Sequence, residues 1–210
     1  MKIVFTGPPA SGKGTQAEML ASKINLPLIS TGNLFRQHII NKTKLGQTVE
    51  KILTAGDLVS NEITNQIVAK EIEKESANFI LDGYPRNINQ AEFLKTITKV
   101  DIVFEIWISE KEAIRRLSGR RVCQCGATYH LIFKPPKKEE ICDLCGGKLF
   151  QRDDDTEDKI KYRFRIYQKE TEPLLTFYQK EGMLMKINGE PTIPEVFKEI
   201  LTKGKLILKI

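Results

Sequence analysis

Long apolar runs are missing from this sequence of 210 residues. No stretch approaches the ~20 apolar residues that a membrane-spanning helix needs, so we expect no membrane association. The apolar stretch within residues 1–7 is too short for a secretory signal peptide, so we expect the protein in the cytoplasm. With 40% hydrophobic and 29% charged residues, the composition is typical of one globular domain, or of one core that carries small insertions.

Histidine and cysteine are scarce. The two histidines, His38 and His130, have no partners for a Ser-His-Asp arrangement, so acyl-transfer chemistry has no support. We expect His38 on an exposed helix face. The four cysteines all lie within residues 123–145. A disulfide framework suits a secreted protein, whereas clustered thiols without an export signal favour a metal site.

The charge balance is moderately basic, with 33 Lys and Arg against 27 Asp and Glu, a net charge of +6. Such a balance is compatible with a nucleic-acid surface, with arginines that hold small phosphates, or with ordinary surface lysines. The positions of the arginines favour phosphate ligands, and we expect no nucleic-acid partner.

Predicted strands alternate with predicted helices along the chain, which is typical of an α/β fold. Two polar stretches, 30–59 and 119–155, interrupt the alternation and are predicted to be insertions into one core. The apolar tail 204–210 follows the last predicted helix and suggests no function. Strands are predicted at 2–6, 26–29, 79–81, 101–108 and 184–188, and the main helices at 12–23, 61–75, 157–181 and 192–203.

The most informative segment joins the first strand to the first helix and reads Gly-Pro-Pro-Ala-Ser-Gly-Lys-Gly-Thr at 7–15. A loop of small residues lets backbone N–H groups converge on phosphate oxygens, and the helix that follows adds its positive dipole end. Lys13 is expected to reach the β- and γ-phosphates, and Thr15 or a neighbouring hydroxyl to help order Mg²⁺. The strict motif G-x-x-x-x-G-K-[ST] is missed by one position, since Gly14 separates Lys13 from Thr15. The flanking strand and helix disfavour the alternative of a glycine-rich turn with an incidental lysine.

This loop does not identify the phosphate acceptor, because GTPases, ATPases and small-molecule kinases share it. Four further motifs follow it in order. The five motifs are GPPASGKGTQ at 7–16, STGNLFR at 30–36, DGYPR at 82–86, GRR at 119–121 and RDDD at 152–155. Together they resemble adenylate kinase of the bacterial type with a long lid, over essentially residues 1–200.

The resemblance implies an α/β P-loop kinase fold with a five-stranded parallel sheet flanked by helices. It implies a core domain of residues 1–29, 60–118 and 156–210, an AMP-binding domain of 30–59 and a lid of 119–155. It also implies reversible transfer of the terminal phosphoryl group of ATP to AMP with Mg²⁺, giving two ADP, by a monomeric enzyme.

The resemblance further assigns residues to each ligand. In the ATP site it places Ala10, Ser11, Gly12, Lys13, Gly14, Thr15, Arg120, Thr128, Tyr129 and Pro191. In the AMP site it places Thr31, Arg36, Asp57, Leu58, Val59, Gly83, Tyr84, Pro85, Arg86, Gln90, Arg152 and Arg163. Catalysis falls to Lys13, Arg86, Arg120, Arg152 and Arg163, and Asp82 holds Mg²⁺ through a water.

The chemistry of phosphoryl transfer agrees with these assignments. The protein mainly positions groups and neutralises charge, and planar guanidinium groups suit that task. A lone arginine is more often a solvated surface charge, Asp82 at a strand end is otherwise a turn residue, and Gln90 otherwise faces water. Two positions depart from the family pattern: Ala10 replaces a glycine of the loop, and Asn33 replaces a common aspartate, which puts an ion pair of the closed state in doubt.

The cysteines of the predicted lid are spaced as C-x-C at Cys123 and Cys125 and as C-x-x-C at Cys142 and Cys145. Four thiolates predict a closed, tetrahedral structural zinc site, although the first pair is one residue shorter than is usual in the family. Free thiols, or iron in the same cage, are the alternatives. A lid of this size cannot bury a large core, so a metal would make it rigid. His130 is expected to pack within the lid or to contact ATP.

Two other functions compete with this interpretation. A kinase for UMP or CMP would share the loop, but the cysteine-bearing lid and Gln90 argue against it. A zinc-ribbon protein that binds nucleic acid and keeps an unused ATP loop would show strongly salt-dependent binding. It leaves Arg86 and the motif at 152–155 unexplained.

Overall fold

The computed structural model describes residues 1–75, 78–152 and 155–208. Five parallel strands form the central sheet in the order β2-β3-β1-β4-β7, as predicted for the α/β fold, and two antiparallel strands form a separate small sheet. The strands are β1 (Lys2–Thr6), β2 (Leu28–Ser30), β3 (Phe79–Asp82), β4 (Ile102–Trp107), β5 (Arg120–Val122), β6 (Thr128–His130) and β7 (Leu184–Asn188).

The helices connect the strands and cover both faces of the large sheet. They are α1 (Lys13–Ile24), α2 (Thr31–Ile40), α3 (Lys44–Ala55), α4 (Asn61–Lys74), α5 (Ile88–Ile97), α6 (Glu110–Ser118), α7 (Glu157–Ile166), α8 (Glu172–Lys180) and α9 (Ile193–Leu208). A π-helical turn, Tyr167–Thr171, joins α7 to α8.

Each face of the large sheet packs against its own set of helices, because successive side chains of a strand point to opposite faces. Ile3 and Phe5 of β1 pack with α1 and α9, whereas Val4 packs with α4, α5 and α8. Every residue of β1 after Lys2 is buried. The carboxyl ends of the parallel strands therefore meet at one edge, where loops carry the candidate site.

The two stretches that interrupt the alternation each carry a small apolar cluster. Helices α2 and α3 enclose Phe35, Val49 and Val59. Strands β5 and β6 belong to a second unit whose cluster contains two of the four cysteines, Tyr129 and Leu149. These clusters are much smaller than those of the large sheet.

Some predicted boundaries are wrong. Strand β2 begins at Leu28, since Pro27 has no N–H to donate to a sheet, although its carbonyl accepts from Ile80. The predicted helix 157–181 is interrupted by the π turn. Residues 204–208 of the apolar tail form the last turn of α9, and Gly204 packs against Leu208 and Phe104. Residues 153, 154, 209 and 210 lie outside the described part of the chain. Among the described residues, no helix has the length and hydropathy to cross a membrane.

Candidate active site

The phosphate-binding loop joins β1 to α1 and is shaped by residues with left-handed backbone conformations. Gly7 has a φ of +144°, and a Cβ there would lie 2.2 Å from the carbonyl oxygen of Ile106, so only glycine fits. Gly12 has a φ of 84° and caps α1. Ala10 also has a positive φ, 62°, and is therefore strained where glycine is usual in the family. The loop leads the N-terminus of α1 into the site.

Lys13 is the first residue of α1, and its ammonium group donates to the carbonyl oxygen of Pro8 at 3.1 Å. Burial lowers the pKa of Lys13 to about 7. Asp82 opposes this shift, and Arg86, Arg163 and Arg120 lower the pKa further. Three of the predicted catalytic arginines therefore act electrostatically on one half-buried lysine.

Asp82 ends β3 beside β1, where it pairs with Phe5. One carboxylate oxygen accepts from the Ser30 hydroxyl at 3.0 Å, and the other is buried without a partner among the described residues. A Cβ built on Gly14 would lie 3.4 Å from the Asp82 carboxylate, so this carboxylate borders the phosphate loop. An available carboxylate oxygen at this position fits a hydrated Mg²⁺ ion, which prefers oxygen ligands.

A pocket opens beside the loop, between α2, the end of α3 and the loop after β3. Ten of the twelve residues expected at AMP line it. Sequence reasoning missed the other members of its wall, whose small or apolar side chains carry no chemical signature. The predicted members are Thr31, Arg36, Asp57, Leu58, Val59, Gly83, Arg86, Gln90, Arg152 and Arg163, and the others are Gly32, Phe35, Leu53, Gly56 and Thr64.

Tyr84 and Pro85 are the two expected AMP residues that do not line the pocket. The Tyr84 ring is fully buried in the core, and its hydroxyl donates to Asn65 at 2.7 Å. The Tyr84–Pro85 peptide bond is cis. These residues shape the backbone between Gly83 and Arg86 instead of facing the pocket.

Arg86 is held in the pocket wall through both its backbone and its side chain. Its Nε donates to the Gly83 carbonyl at 2.9 Å, and its backbone N–H donates to the Gln90 side chain at 2.8 Å. The Thr171 hydroxyl donates to the Arg86 carbonyl at 2.8 Å. Burial lowers the pKa of Arg86, which Asp82 opposes. Arg36, in the same wall, donates to the amide oxygen of Asn33, the position where an aspartate is usual in the family.

Asp155 is a site residue that sequence reasoning missed. Its side chain is fully buried, and its carboxylate pairs with Arg120, whose Nε donates to it at 2.8 Å. The same carboxylate lies 3.8 Å from a terminal guanidinium nitrogen of Arg163. It thus joins an arginine at the start of β5 to an arginine of α7. The motif at 152–155 contained this carboxylate, but only its arginine was assigned a role.

Two contacts bring the pocket against α7. The Tyr162 hydroxyl donates to the Asp57 carboxylate at 2.5 Å. A Cβ on Gly56, whose φ is 87°, would lie 3.2 Å from the Arg163 side chain. The pocket wall and the arginine-bearing helix are therefore closely packed in this conformation.

Arg120 is close enough to act on Lys13, whereas two other expected ATP residues lie at a second cavity. Thr128 and Tyr129 border a second cavity with Glu18 and Lys134. The buried Tyr129 hydroxyl accepts from the Asp143 backbone at 2.8 Å and lies 3.5 Å from Cys142 Sγ, so it faces the cysteines.

Pro191 is exposed. Sequence reasoning missed Arg116, which contacts the residue that precedes this proline. Arg116 donates to the Glu190 carbonyl at 3.1 Å, and its guanidinium lies 5.6 Å from the centre of the Phe133 ring. This distance is that of a direct cation–π contact, and both side chains have flat faces on which a heterocycle can stack.

The four cysteines converge on one point. Cys123 and Cys145 have Sγ atoms 3.4 Å apart, those of Cys125 and Cys142 are 3.6 Å apart, and all four lie within 4.8 Å of one another. Zn–S bonds of about 2.3 Å in a tetrahedron place sulfurs about 3.8 Å apart, so the donor set and its spacing fit zinc. Gly126, with a φ of 93°, closes the short C-x-C turn. The cluster can hold a structural zinc ion.

The histidines take no part in the site. His130 packs on the Phe133 ring at 4.4 Å, and its Nδ1 accepts backbone N–H groups of Ile132 and Phe133, which agrees with packing inside the lid. His38 is half-buried and bonded to Thr43 at 3.1 Å, so its expected exposed position is wrong.

Comparison with known proteins gives one answer. The sequence model of the family described as adenylate kinase matches residues 5–183. The chain is 46% identical to the adenylate kinase of Methanothrix thermoacetophila over 207 residues, 95% of this chain and 96% of that protein. It is 42% identical to that of Methanosarcina barkeri over all of this chain and 99% of the relative, and 44% identical to that of Thermosipho africanus over 96% and 98%. The chain belongs to the adenylate kinase family.

Proposed function

We propose that AMP occupies the pocket bounded by Arg36, Arg86 and Gln90, and that the phosphates of ATP lie on the loop around Lys13. Adenylate kinases transfer the terminal phosphoryl group of ATP to AMP reversibly, and this chain catalyses that reaction. One observation carries the placement: Arg86 and Arg163 line the acceptor pocket and also lower the pKa of Lys13 in the loop. The two nucleotide sites thus share their cations.

The reaction needs one P–O bond to form and one to break. An oxygen of the AMP phosphate attacks the γ-phosphorus of ATP, and the bond from that phosphorus to the β-phosphate oxygen breaks, leaving ADP on each side. Lys13, Arg86, Arg120, Arg152 and Arg163 stabilise the charge that develops on the transferred group. Mg²⁺ bound to ATP neutralises further charge, and Asp82 with Ser30 would hold its water shell.

Asp155 positions two arginines, Arg120 of the lid and Arg163 of α7. Its fully buried carboxylate pairs with Arg120 and lies near Arg163, so both guanidinium groups are held before a nucleotide arrives. Preorganised charges cost no rearrangement during the transfer.

The adenine of ATP is proposed to lie beside Pro191, stacked on the flat faces of Arg116 and the Phe133 ring. The Phe133 ring packs on His130, which points to the opposite face of β6 from Tyr129. Tyr129 then supports the lid and does not contact the base, whereas Thr128 shares the face of His130.

Water at the γ-phosphate would compete with AMP, so we propose that the lid, residues 119–155, and the AMP-binding segment, 30–59, close over the nucleotides. Hinges are proposed near Gly56 and Gly119, and turnover is limited by opening. A zinc ion held by the four cysteines would keep the lid rigid. We further propose a cytoplasmic monomer that does not bind nucleic acid.

The acceptor is tested in one coupled assay with AMP, UMP, CMP and GMP. We expect AMP to be preferred by at least a hundredfold in kcat/KM. Arg163→Met should lower kcat by more than about tenfold, while the matched change Arg165→Met, on the exposed face of the same helix, should not. Equal use of UMP or CMP overturns the assignment of the acceptor pocket.

A further inference from the structure

Three side-chain amides form a hydrogen-bonded chain at the wall of the AMP pocket. Gln90 Nε2 donates to Asn61 Oδ1 at 2.9 Å, and Asn87 Nδ2 donates to the same oxygen at 2.9 Å. Asn61 is the first residue of α4, and Asn87 caps α5. Gln90 is buried, with only 2% of its surface exposed, and it lines the pocket.

Backbone N–H groups fix the orientation of all three amides, because an N–H can only donate. At one end, the N–H of Gln90 donates to Asn87 Oδ1 at 3.0 Å, which turns Asn87 Nδ2 toward Asn61. At the other end, the N–H of Arg86 donates to Gln90 Oε1 at 2.8 Å. A flipped Gln90 would set its NH₂ against the Arg86 N–H and its oxygen against Asn61 Oδ1. Both contacts would be unfavourable.

This fixed amide leaves one donor and one acceptor site available for a ligand. Gln90 Oε1 can accept a second hydrogen bond, and Nε2 has a second hydrogen to donate. Adenine offers the matching pair, since its 6-amino group donates and the adjacent ring nitrogen N1 accepts. A 6-oxopurine offers the reverse pair, because its oxygen accepts and its N1–H donates, so it requires the flipped amide.

We propose that Asn61 is a specificity-determining positioning residue, which selects a 6-aminopurine over a 6-oxopurine by holding the Gln90 amide in one orientation. The proposal rests on the proposed function, in that AMP occupies the pocket that Gln90 lines. Asn61 does not contact the base and acts only through Gln90. A buried polar group left unpaired is the source of strong discrimination, and the flipped Gln90 would leave two such groups.

The test compares AMP with IMP as acceptors, because their bases differ only at position 6 and at the N1 proton. For Asn61→Leu, which keeps the branching of the side chain and removes the acceptor, we expect KM for AMP to rise about fivefold or more, with kcat and the KM for ATP unchanged. The ratio of kcat/KM for AMP to that for IMP should fall at least tenfold. Asn61→Asp keeps an acceptor oxygen and should retain this ratio within about threefold.

The matched control is Asn65→Leu, which removes an amide from the same helix, one turn further on. Asn65 accepts from Tyr84 and has no bond to the Gln90 side chain, so its loss affects stability but not the ratio of AMP to IMP. A parallel change of both acceptors in Asn61→Leu, or a loss of the ratio in Asn61→Asp, overturns the proposal.

Gln90→Leu separates this inference from the proposed function. If Gln90→Leu lowers the ratio of AMP to IMP and Asn61→Leu does not, the base lies at Gln90 and only the role of Asn61 is wrong. If Gln90→Leu leaves the ratio unchanged, the base does not lie at Gln90, and the placement of AMP is itself overturned.

Discussion

Binding of nucleotide phosphates is predicted to drive proton uptake by Lys13. Burial lowers the pKa of this ammonium to about 7 in the free protein. Phosphate oxygens on the loop would restore the pKa toward its usual value, because they pair with the charged form. At pH 8 a group with a pKa of about 7 is only ~10% protonated, so binding should take up about 0.9 proton. The uptake should fall to about 0.5 at pH 7 and about 0.1 at pH 6.

The assay is calorimetric titration in buffers that differ in ionisation enthalpy. Two adenosines joined by a polyphosphate chain are the best ligand, since internal phosphates have no ionisation near neutral pH and any proton change belongs to the protein. The affinity should weaken by up to tenfold per pH unit above pH 7, because the free protein must gain a proton to bind.

Two variants isolate the source of the proton. Lys13→Met should abolish both the proton uptake and phosphoryl transfer while keeping the fold. Subtracting the titration of this variant from that of the parent protein removes any proton change that the cysteines contribute. Lys23→Met, an exposed lysine at the end of the same helix, should behave like the parent protein. Uptake below about 0.2 at pH 8, or equal uptake in Lys13→Met, refutes the reasoning.

Three further outcomes are expected. Asp155→Asn should lower the free energy of unfolding of the nucleotide-free protein by about 3 kcal/mol, because two guanidinium groups lose a buried carboxylate. The same change should lower kcat more than tenfold. A fall of less than about 1 kcal/mol in the free energy of unfolding contradicts this expectation. Ala10→Gly should stabilise the protein by about 0.5 kcal/mol, since release of the left-handed strain, about 1–2 kcal/mol, outweighs the added chain entropy of about 1 kcal/mol; a lower denaturation midpoint contradicts it. Metal analysis should find one zinc per chain, chelation should lower Tm, and Tyr129→Phe should weaken zinc binding by removing the hydroxyl beside Cys142. A metal-free protein whose Tm does not respond to chelation removes the zinc site.

The phosphate loop was predictable because its determinants are local. Gly7 and Gly12 have backbone conformations or close contacts that only small residues allow, and Lys13 follows directly on the helix that presents it. The alternation of short apolar strands with helices likewise predicted the sheet, because a parallel sheet buries both faces of its strands. Such signals lie within a few residues of one another.

Asp155, Arg116 and Asn61 were not predicted, since their roles depend on contacts between distant segments. Asp155 pairs with Arg120 across 35 positions of the sequence, and Asn61 bonds to Gln90 across 29. A carboxylate in an acidic run, or an asparagine at a helix start, is typical of a solvated surface. Only the fold shows that these polar groups contact residues of the candidate site or its surroundings.

Tyr84 and the π turn show a different limit. The motif at 82–86 pointed to a segment that does reach the pocket, through Gly83 and Arg86. It did not show that Tyr84 points into the core. The apolar periodicity of residues 157–181 predicts one helix. A π turn adds one residue to a single helical turn, and this addition barely changes the periodicity. That turn nevertheless directs Tyr167 toward Glu105 at 3.3 Å and Thr171 toward Arg86.

The lid connects the cysteine cluster to the transfer step through its small sheet. Arg120 opens β5, Cys123 follows its last residue, and β6, which carries Tyr129, pairs with it along three residues. An isolated hairpin of this length is not stable by itself, and the lid's apolar cluster is small. The orientation of Arg120 therefore depends on whatever makes the lid rigid, namely Asp155 on one side and the four sulfurs on the other. Since the proposed AMP pocket takes only Arg152 from the described part of the lid, loss of the metal should lower kcat more than it raises the KM for AMP.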